Sequence, residues 1–339
     1  MNPTIRDVAR LAGVSASTAS RVLSGSDHPV AAEVRQRVLR AVGELDFTPN
    51  AFARGLSKRE VHLIGLIIPD IRNPYFVEIA RGIEDSASQR GYLVVLCNTD
   101  RDAAKERGYF DELRAMRAGI ILAGSAIDRE DHLLDLANHP APIVGISRHE
   151  LPCSTVLIDS FQGAIDATTH LIQLGHRRIA FVGGPGNTSS AVDRLEGFRL
   201  AMEQNGVPMD DTLVVGGDYT LESGAAAFGE LMRLRRRPTA VFASNDQTAL
   251  GVIREATHAG LSIPRDVSIV GFDGIAAAAQ SEPPLTTIHL SLHHIGQFAA
   301  DLLLSQLETG TQEQRSVLVK GQLVVRGSTS TPCEASNWG

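Results

Sequence analysis

Three groups of side chains in this sequence have types and spacings that could do chemistry. The first is Ser17, Ser20, Arg21 and Ser24, which recur at i, i+3, i+4 and i+7 and would form a slim polar stripe with one cation along a helix. Such a stripe fits a major groove about 12 Å wide, where Arg pairs with guanine and Ser with either a donor or an acceptor. By pattern alone it could equally be the wet face of a small helical bundle. The second group follows apolar runs: Asp70-Ile71-Arg72-Asn73-Pro74-Tyr75-Phe76, Ser147-Arg148, Asn245-Asp246 and Phe272-Asp273. Carboxylates, amides and guanidinium groups make paired hydrogen bonds to vicinal hydroxyls, and aromatic faces cover the apolar side of a sugar ring, so the set reads as a sugar site. Taken singly, an acid such as Asp70 or Asp246 serves equally well as a loop solvator or helix cap.

The third group fails as enzyme chemistry. Gly183-Gly184-Pro185-Gly186-Asn187-Thr188 lacks the Gly-Lys-Ser/Thr of a phosphate loop and the last Gly of a dinucleotide fingerprint. His289 and His293 are four apart, yet no acid or Cys sits at metal spacing beside them. No stretch assigns a nucleophile, base and oxyanion hole together. We therefore expect no catalysis, no cofactor and no metal.

The stripe needs a helix behind it. Thr4-Ile5-Arg6-Asp7 fits a capping box, and Ile5, Val8, Ala9 and Ala12 form one apolar face that Gly13 ends. Ser15 caps a second helix whose Ala19, Val22 and Leu23 point inward, with Val14 stapled over Ala19. A third helix spans about Ala32 to Leu45, with Val34, Val38, Val42 and Leu45 inward and Arg35, Arg37 and Arg40 outward. Pro49 then breaks the chain and Asn50 could cap a segment too short to hold alone in water, made weaker by Gly55; free in solution it should fray, as a flexible linker would.

From residue 61 strands and helices alternate. Apolar runs at Leu63–Ile68, Leu93–Leu96, Ile120–Leu122, Ile143–Ile146, Val156–Ile158, Ile179–Val182, Leu213–Val215, Ala240–Ala243 and Ser268–Val270 predict strands. Amphipathic stretches such as Tyr75–Gln89 and Gln162–Leu174 predict helices between them. This alternation implies parallel sheets wound on both faces, and ligands of such sheets bind at the carboxyl ends of strands.

The 339 residues fit about two domains, and 43% apolar with 21% charged composition is that of a water-soluble globular protein. No apolar run approaches the roughly 20 residues of a membrane helix, and early charges exclude a secretory core, so a cytoplasmic protein is expected. Cys97, Cys153 and Cys333 are too scattered for a disulfide framework or zinc knuckle. The net charge of −7 conceals a split: residues 1–59 carry nine basic and five acidic side chains, a net of +4 that leaves −11 on the rest. A basic head on an acidic body points to a nucleic-acid contact confined to one end.

The residues themselves are more specific. Thr4-Ile5-Arg6-Asp7-Val8-Ala9, Ala12-Gly13-Val14-Ser15 and Thr18-Ala19-Ser20-Arg21-Val22-Leu23 closely resemble the helix-turn-helix of the LacI/GalR family of bacterial transcription regulators. The body resembles that family's effector domain, which shares the fold of periplasmic sugar-binding proteins. The resemblance runs through Asn73-Pro74-Tyr75-Phe76, Leu174-Gly175-His176-Arg177-Arg178, Arg194-Leu195-Glu196-Gly197-Phe198, Ser244-Asn245-Asp246, Gly271-Phe272-Asp273 and Pro283-Pro284-Leu285-Thr286-Thr287-Ile288.

It implies a small all-α helix-turn-helix headpiece (1–48), a hinge (49–60), a body (61–330) of two doubly wound parallel-sheet lobes, and a tail (331–339). Lobe 1 would hold about 61–160 plus 291–320 and lobe 2 about 161–290 plus 321–330. Ala16, Ser17 and Arg21 would face base edges, and Thr4, Ser15, Thr18 and Ser20 phosphates. In the hinge Asn50, Ala53 and Arg54 would meet DNA and Leu56 would wedge into the minor groove. The effector pocket would take Asn73, Tyr75, Phe76, Ser147 and Arg148 from one lobe and Arg194, Tyr219, Asn245 and Asp273 from the other. Implied partners are a near-palindromic operator DNA, a second copy of the chain and a small effector; a tail without apolar heptads argues against a tetramerising coiled coil.

Two departures bear on the effector. Ser147 stands where sugar binders of this fold often place Asp, and Leu290 stands where a polar residue often follows the strand. With an acid missing and two arginines present, the expectation is a sugar, sugar acid or sugar phosphate: an effector with fewer equatorial hydroxyls, or one with an anionic group. The competing readings are a solute-binding protein without a DNA role, and an α/β enzyme acting on a sugar.

Overall fold

The computed structural model describes residues 3–24, 30–47, 62–124, 141–148, 152–311 and 313–333. It divides into two units, 1–62 and 63–339.

The head is three helices, α1 (Ile5–Ala12), α2 (Ala16–Ser24) and α3 (Ala32–Glu44). Thr4 and Asp7 cap α1 reciprocally: Asp7 Oδ2 accepts from the Thr4 amide at 3.0 Å and from its hydroxyl at 2.6 Å. Gly13, at φ 64, turns the chain out of α1 in the left-handed region that a side chain disfavours. The expected stripes close on each other, burying Val8, Ala9, Ala12, Ala19, Val22, Val38 and Ala41, with Val14 packed against them. Of the residues expected inward on α3, Val38 is buried but Val34, Val42 and Leu45 are only half-buried, while Ala41, not foreseen, is buried.

The body has two six-stranded sheets. The first contains β1 (Leu63–Ile68), β2 (Leu93–Asn98), β3 (Gly119–Ala123), β4 (Ile143–Ile146), β5 (Ser154–Ile158) and β11 (Ser316–Val319), in the order β11-β5-β4-β3-β1-β2, all parallel. The second contains β6 (Ile179–Val182), β7 (Val214–Val215), β8 (Ala240–Ala243), β9 (Ser268–Asp273), β10 (Thr286–His289) and β12 (Gln322–Val324), in the order β12-β10-β9-β8-β6-β7. Only β12 runs antiparallel, against β10. Both match the two doubly wound lobes read from the sequence. Leu213, expected in a strand, instead ends a short 3-10 turn that Asp210 caps, and β9 continues three residues further than foreseen, to Asp273.

The helices are α4 (Pro74–Gln89), α5 (Ala103–Ala115), α6 (Ser160–Gln173), α7 (Ser189–Gln204), α8 (Leu221–Met232), α9 (Asp246–His258), α10 (Ala276–Gln280) and α11 (Leu292–Thr309). Glycines set their closest crossings. A Cβ on Gly82 of α4 would collide with the His293 carbonyl of α11, and one on Gly296 of α11 with the Ile79 carbonyl of α4. Gly224 of α8 and Gly251 of α9 stand in the same relation to the carbonyls of Thr248 and Leu221. The chain passes between the sheets three times, at 158–160, 289–292 and 319–322. Two of the passages are tied together where the Asp159 amide donates to the Val319 carbonyl at 2.9 Å.

Candidate functional sites

In the head, Ser15 Oγ accepts from the Thr18 amide at 3.1 Å and shares hydrogen bonds of 2.8 Å with the hydroxyls of Ser17 and Thr18. This caps α2 and lines those hydroxyls along its first turn. Ser15, Ala16, Ser17, Ser20 and Arg21 are exposed, Thr18 is half-buried, and Thr4 is exposed at the start of α1. The opposite face of α2 is in the core. The small side chains of Ala16 and Ser17 leave the helix slim enough to enter a groove, and Arg21 supplies the long donor. Asn50, Ala53, Arg54 and Leu56 lie outside the described residues.

The body's candidate pocket sits where the strands of both sheets end. Asn73 Oδ1 accepts from the Tyr75 amide at 3.0 Å and so caps α4, which fixes Tyr75 and Phe76 after β1, their rings edge to face at 4.9 Å. Burial, then the nearby charge of Asp273, pushes the Tyr75 hydroxyl well above the usual phenol range, while the Ser147 hydroxyl bonded to it opposes that rise. Arg194 and Tyr219 also act on that hydroxyl electrostatically, so five of the expected residues, drawn from both sheets, converge on one place.

From the second sheet, Arg194 is buried (4% exposed) with its guanidinium 3.8 Å from the centre of the Phe272 ring. It donates to the Ser244 carbonyl and lies 3.5 Å from Asp273 Oδ1. Its Nε is buried without a hydrogen-bond partner, an unsatisfied donor of the kind that calls for an explanation. Asn245 caps α9 through the Thr248 amide at 2.9 Å and donates to the Tyr219 carbonyl at 3.3 Å. The Tyr219 hydroxyl meets Ser190 Oγ at 3.1 Å, and its ring rests on Gly184, where any Cβ would collide with it. The glycine-rich turn after β6 is therefore a bed for Tyr219 and not a phosphate cradle.

Ser147, Tyr219 and Asp273 adopt positive φ values of 78, 67 and 115. Non-glycine residues held there carry strain that clusters at ligand clamps. Asp273 is held by Asp246, which has no exposed surface. Asp246 Oδ2 accepts from the amides of Gly274 (2.7 Å) and Ile275 (2.9 Å), and Oδ1 accepts from the Thr287 hydroxyl (2.6 Å). Burial raises both carboxyls above the ordinary range, and for Asp273 the Arg194 charge opposes that rise while Asp246 adds to it.

Sequence reasoning included Asp246 and Phe272 in the strand-end group without giving them a role, and missed Ser190 and Asp193, although Asp193 adjoins Arg194 and Ser190 lies four residues before it. Arg148 Nη2 is 2.7 Å from Asp193 Oδ1. Both arginines of the cleft thus have a carboxylate partner, which corrects the expectation of two arginines short of acids. Leu290 is core (1% exposed). Asp70 is taken up by Arg72 of its own loop, at 2.8 Å. His293 binds Asp85 at 2.8 Å between α11 and α4. Among the described residues no three His, Cys, Asp or Glu gather as metal ligands, and no helix is long and apolar enough to cross a membrane.

Residues 4–50 match the model of the lacI family of bacterial regulatory proteins, and residues 168–329 that of the periplasmic binding protein-like domain. The chain is 36% identical over 335 residues to the HTH-type transcriptional regulator DegA of Bacillus subtilis (strain 168), covering 97% of this chain and 99% of the relative. Among solved structures it is similar to the lac repressor dimer bound to operator and the anti-inducer ONPF (TM-score 0.83, 30% identity, 97% of this chain and 100% of that one). It is also similar to a CelR–cellobiose complex (TM-score 0.72, 33% identity, 96% and 99%).

Proposed function

This chain belongs to the LacI family of bacterial regulatory proteins, and from that premise we propose that it is a cytoplasmic repressor whose affinity for a near-palindromic operator is set by a small sugar or sugar-derived effector. The observation that carries the reading is the pairing, in one chain, of a slim hydroxyl-and-arginine helix face with a two-lobed cleft lined by Tyr75, Arg194, Tyr219 and Asp273. Ala16, Ser17 and Arg21 read base edges, while Thr4, Ser15, Thr18 and Ser20 hold phosphates. Residues 1–48 form the DNA-binding domain, 49–60 the hinge and 61–330 the effector body. A homodimer is favoured by the open edge strand β2, which exposes Leu93, Val95 and Leu96. No catalytic step is assigned: the polar groups of the cleft bind, and none is arranged as nucleophile with base.

Lobe closure around the effector changes the spacing of the two hinge segments in a dimer, and linkage makes the effect reciprocal between operator and effector. The test divides the labour between two variants. Arg21→Ala should cost about 1–3 kcal/mol per half-site in operator binding and leave effector affinity, read by calorimetry, unchanged. Asp273→Ala should abolish the effector response and leave basal operator binding intact. Parallel loss of both activities in either variant refutes the reading.

A further inference from the structure

The carboxylate absent beside Arg148 in its own lobe is supplied from the other lobe. Arg148 follows β4 of the first sheet, where its neighbour is Ser147. Asp193 lies on α7 of the second lobe, one residue before Arg194. Besides the 2.7 Å ion pair, the Arg148 carbonyl accepts from Ser189 Oγ at 3.2 Å, so α7 grips both the side chain and the backbone of this position. Burial raises the Asp193 carboxyl above the ordinary range; the Arg148 and Arg194 charges oppose that rise, and Glu196 and Asp159 add to it.

We infer that Asp193 is a specificity-determining residue, which neutralises Arg148 across the cleft and sets the pocket for an uncharged polyhydroxyl effector over an anionic one. The charge inventory carries this. Arg194 is spent on Asp273, the Ser244 carbonyl and the Phe272 face, and Arg148 on Asp193. Neither guanidinium is left without a carboxyl partner: Arg148 pairs with Asp193 at 2.7 Å and Arg194 lies 3.5 Å from Asp273. An entering phosphate or carboxylate must displace Asp193 from Arg148 or lie beside it, and like charges brought together are a device for excluding the wrong ligand. Hydroxyl groups face no such conflict, because they can accept from a guanidinium or donate to a carboxylate without bringing a charge. The inference rests on the effector reading above and deepens it.

Full-length wild type, Asp193→Asn, Asp193→Glu and the double variant Asp193→Asn/Arg148→Gln are titrated by calorimetry with D-ribose, D-glucose, ribose 5-phosphate, glucose 6-phosphate and gluconate. Wild type and Asp193→Glu are expected to prefer a neutral sugar. Asp193→Asn should raise the anionic-to-neutral affinity ratio about tenfold at low salt, an effect that shrinks with added salt because Arg148 is partly exposed. Removing Arg148 as well should cancel that gain. An unchanged ratio in Asp193→Asn, or a wild type that prefers an anion, overturns the inference while leaving the sugar reading standing. If no carbohydrate of the panel binds wild type, the sugar reading itself falls and the inference with it.

Discussion

Replacing Asp246 by Ala removes an acceptor from three donors at once: the part-buried Gly274 amide at 2.7 Å, the buried Ile275 amide at 2.9 Å and the buried Thr287 hydroxyl at 2.6 Å. A buried donor left unsatisfied costs about 1–3 kcal/mol, so the sum is about 3–9 kcal/mol before relaxation. Water entering the void and the lost repulsion on Asp273 offset part of it, and we expect at least about 3 kcal/mol of destabilisation. Asp246→Asn is the discriminating control. Its single oxygen still faces the two amides, and its NH2 meets a Thr287 hydroxyl that can rotate to accept. Only the charge assistance goes, so its cost should stay within about 1.5 kcal/mol. Urea unfolding followed by far-UV circular dichroism measures both. Because the turn also holds Asp273 at φ 115, Asp246→Ala should lose effector binding under conditions in which it is still folded, and Asp246→Asn should keep it. An alanine variant within about 1 kcal/mol of wild type, or equal damage by the two substitutions, would refute the idea that this carboxylate holds the turn.

Two more outcomes follow from the packing. His176 is buried, with Nδ1 2.9 Å from the Thr239 hydroxyl and Nε2 donating to the Ser330 carbonyl at 2.9 Å, and burial lowers its pKa. The folded state then binds fewer protons than the unfolded one. Its stabilising contribution is complete above the ordinary histidine value of about 6.5 and is lost as pH falls through the lowered folded value; amide exchange of residues 326–333 should accelerate over that window, and a flat profile would contradict it. Gly251→Ala pushes a Cβ into the Leu221 carbonyl and should destabilise by about 1–3 kcal/mol or more, whereas Gly229→Ala on the same helix pair meets nothing within 4 Å and should gain about 0.5–1 kcal/mol. Thermal melts of the two variants moving in the same direction would argue against the glycine crossing.

What the sequence disclosed depended on how local the signal was. β1 announced itself because Leu63–Ile68 is apolar on both faces, the mark of a strand covered on both sides, and all six residues are buried. The four-residue β11 and three-residue β12 carry too short a pattern to stand out, and only the sheets waiting for an edge make them strands. Of the candidate pocket residues, Tyr75 and Asp273 were legible from their position after strands, and Arg194 and Tyr219 only through the family resemblance. Asp193 was not, since nothing in a helix sequence says that one carboxylate reaches an arginine 45 residues away in another lobe. Asp246 was visible as an acid but not as an anchor, because its partners Gly274, Ile275 and Thr287 meet it only once β9 and β10 lie side by side.

The three passages between the sheets govern how the body can come apart. Neither lobe is one uninterrupted length of polypeptide: the second sheet's main segment is inserted into the first, and β11 and β12 return the chain through both. A nick in any one passage leaves two covalent ties, so a protease must sever all three before the lobes separate. The same connectivity means that neither lobe can be expressed alone as a simple truncation. Each would have to be stitched from distant segments, and the natural unit of manipulation is the pair.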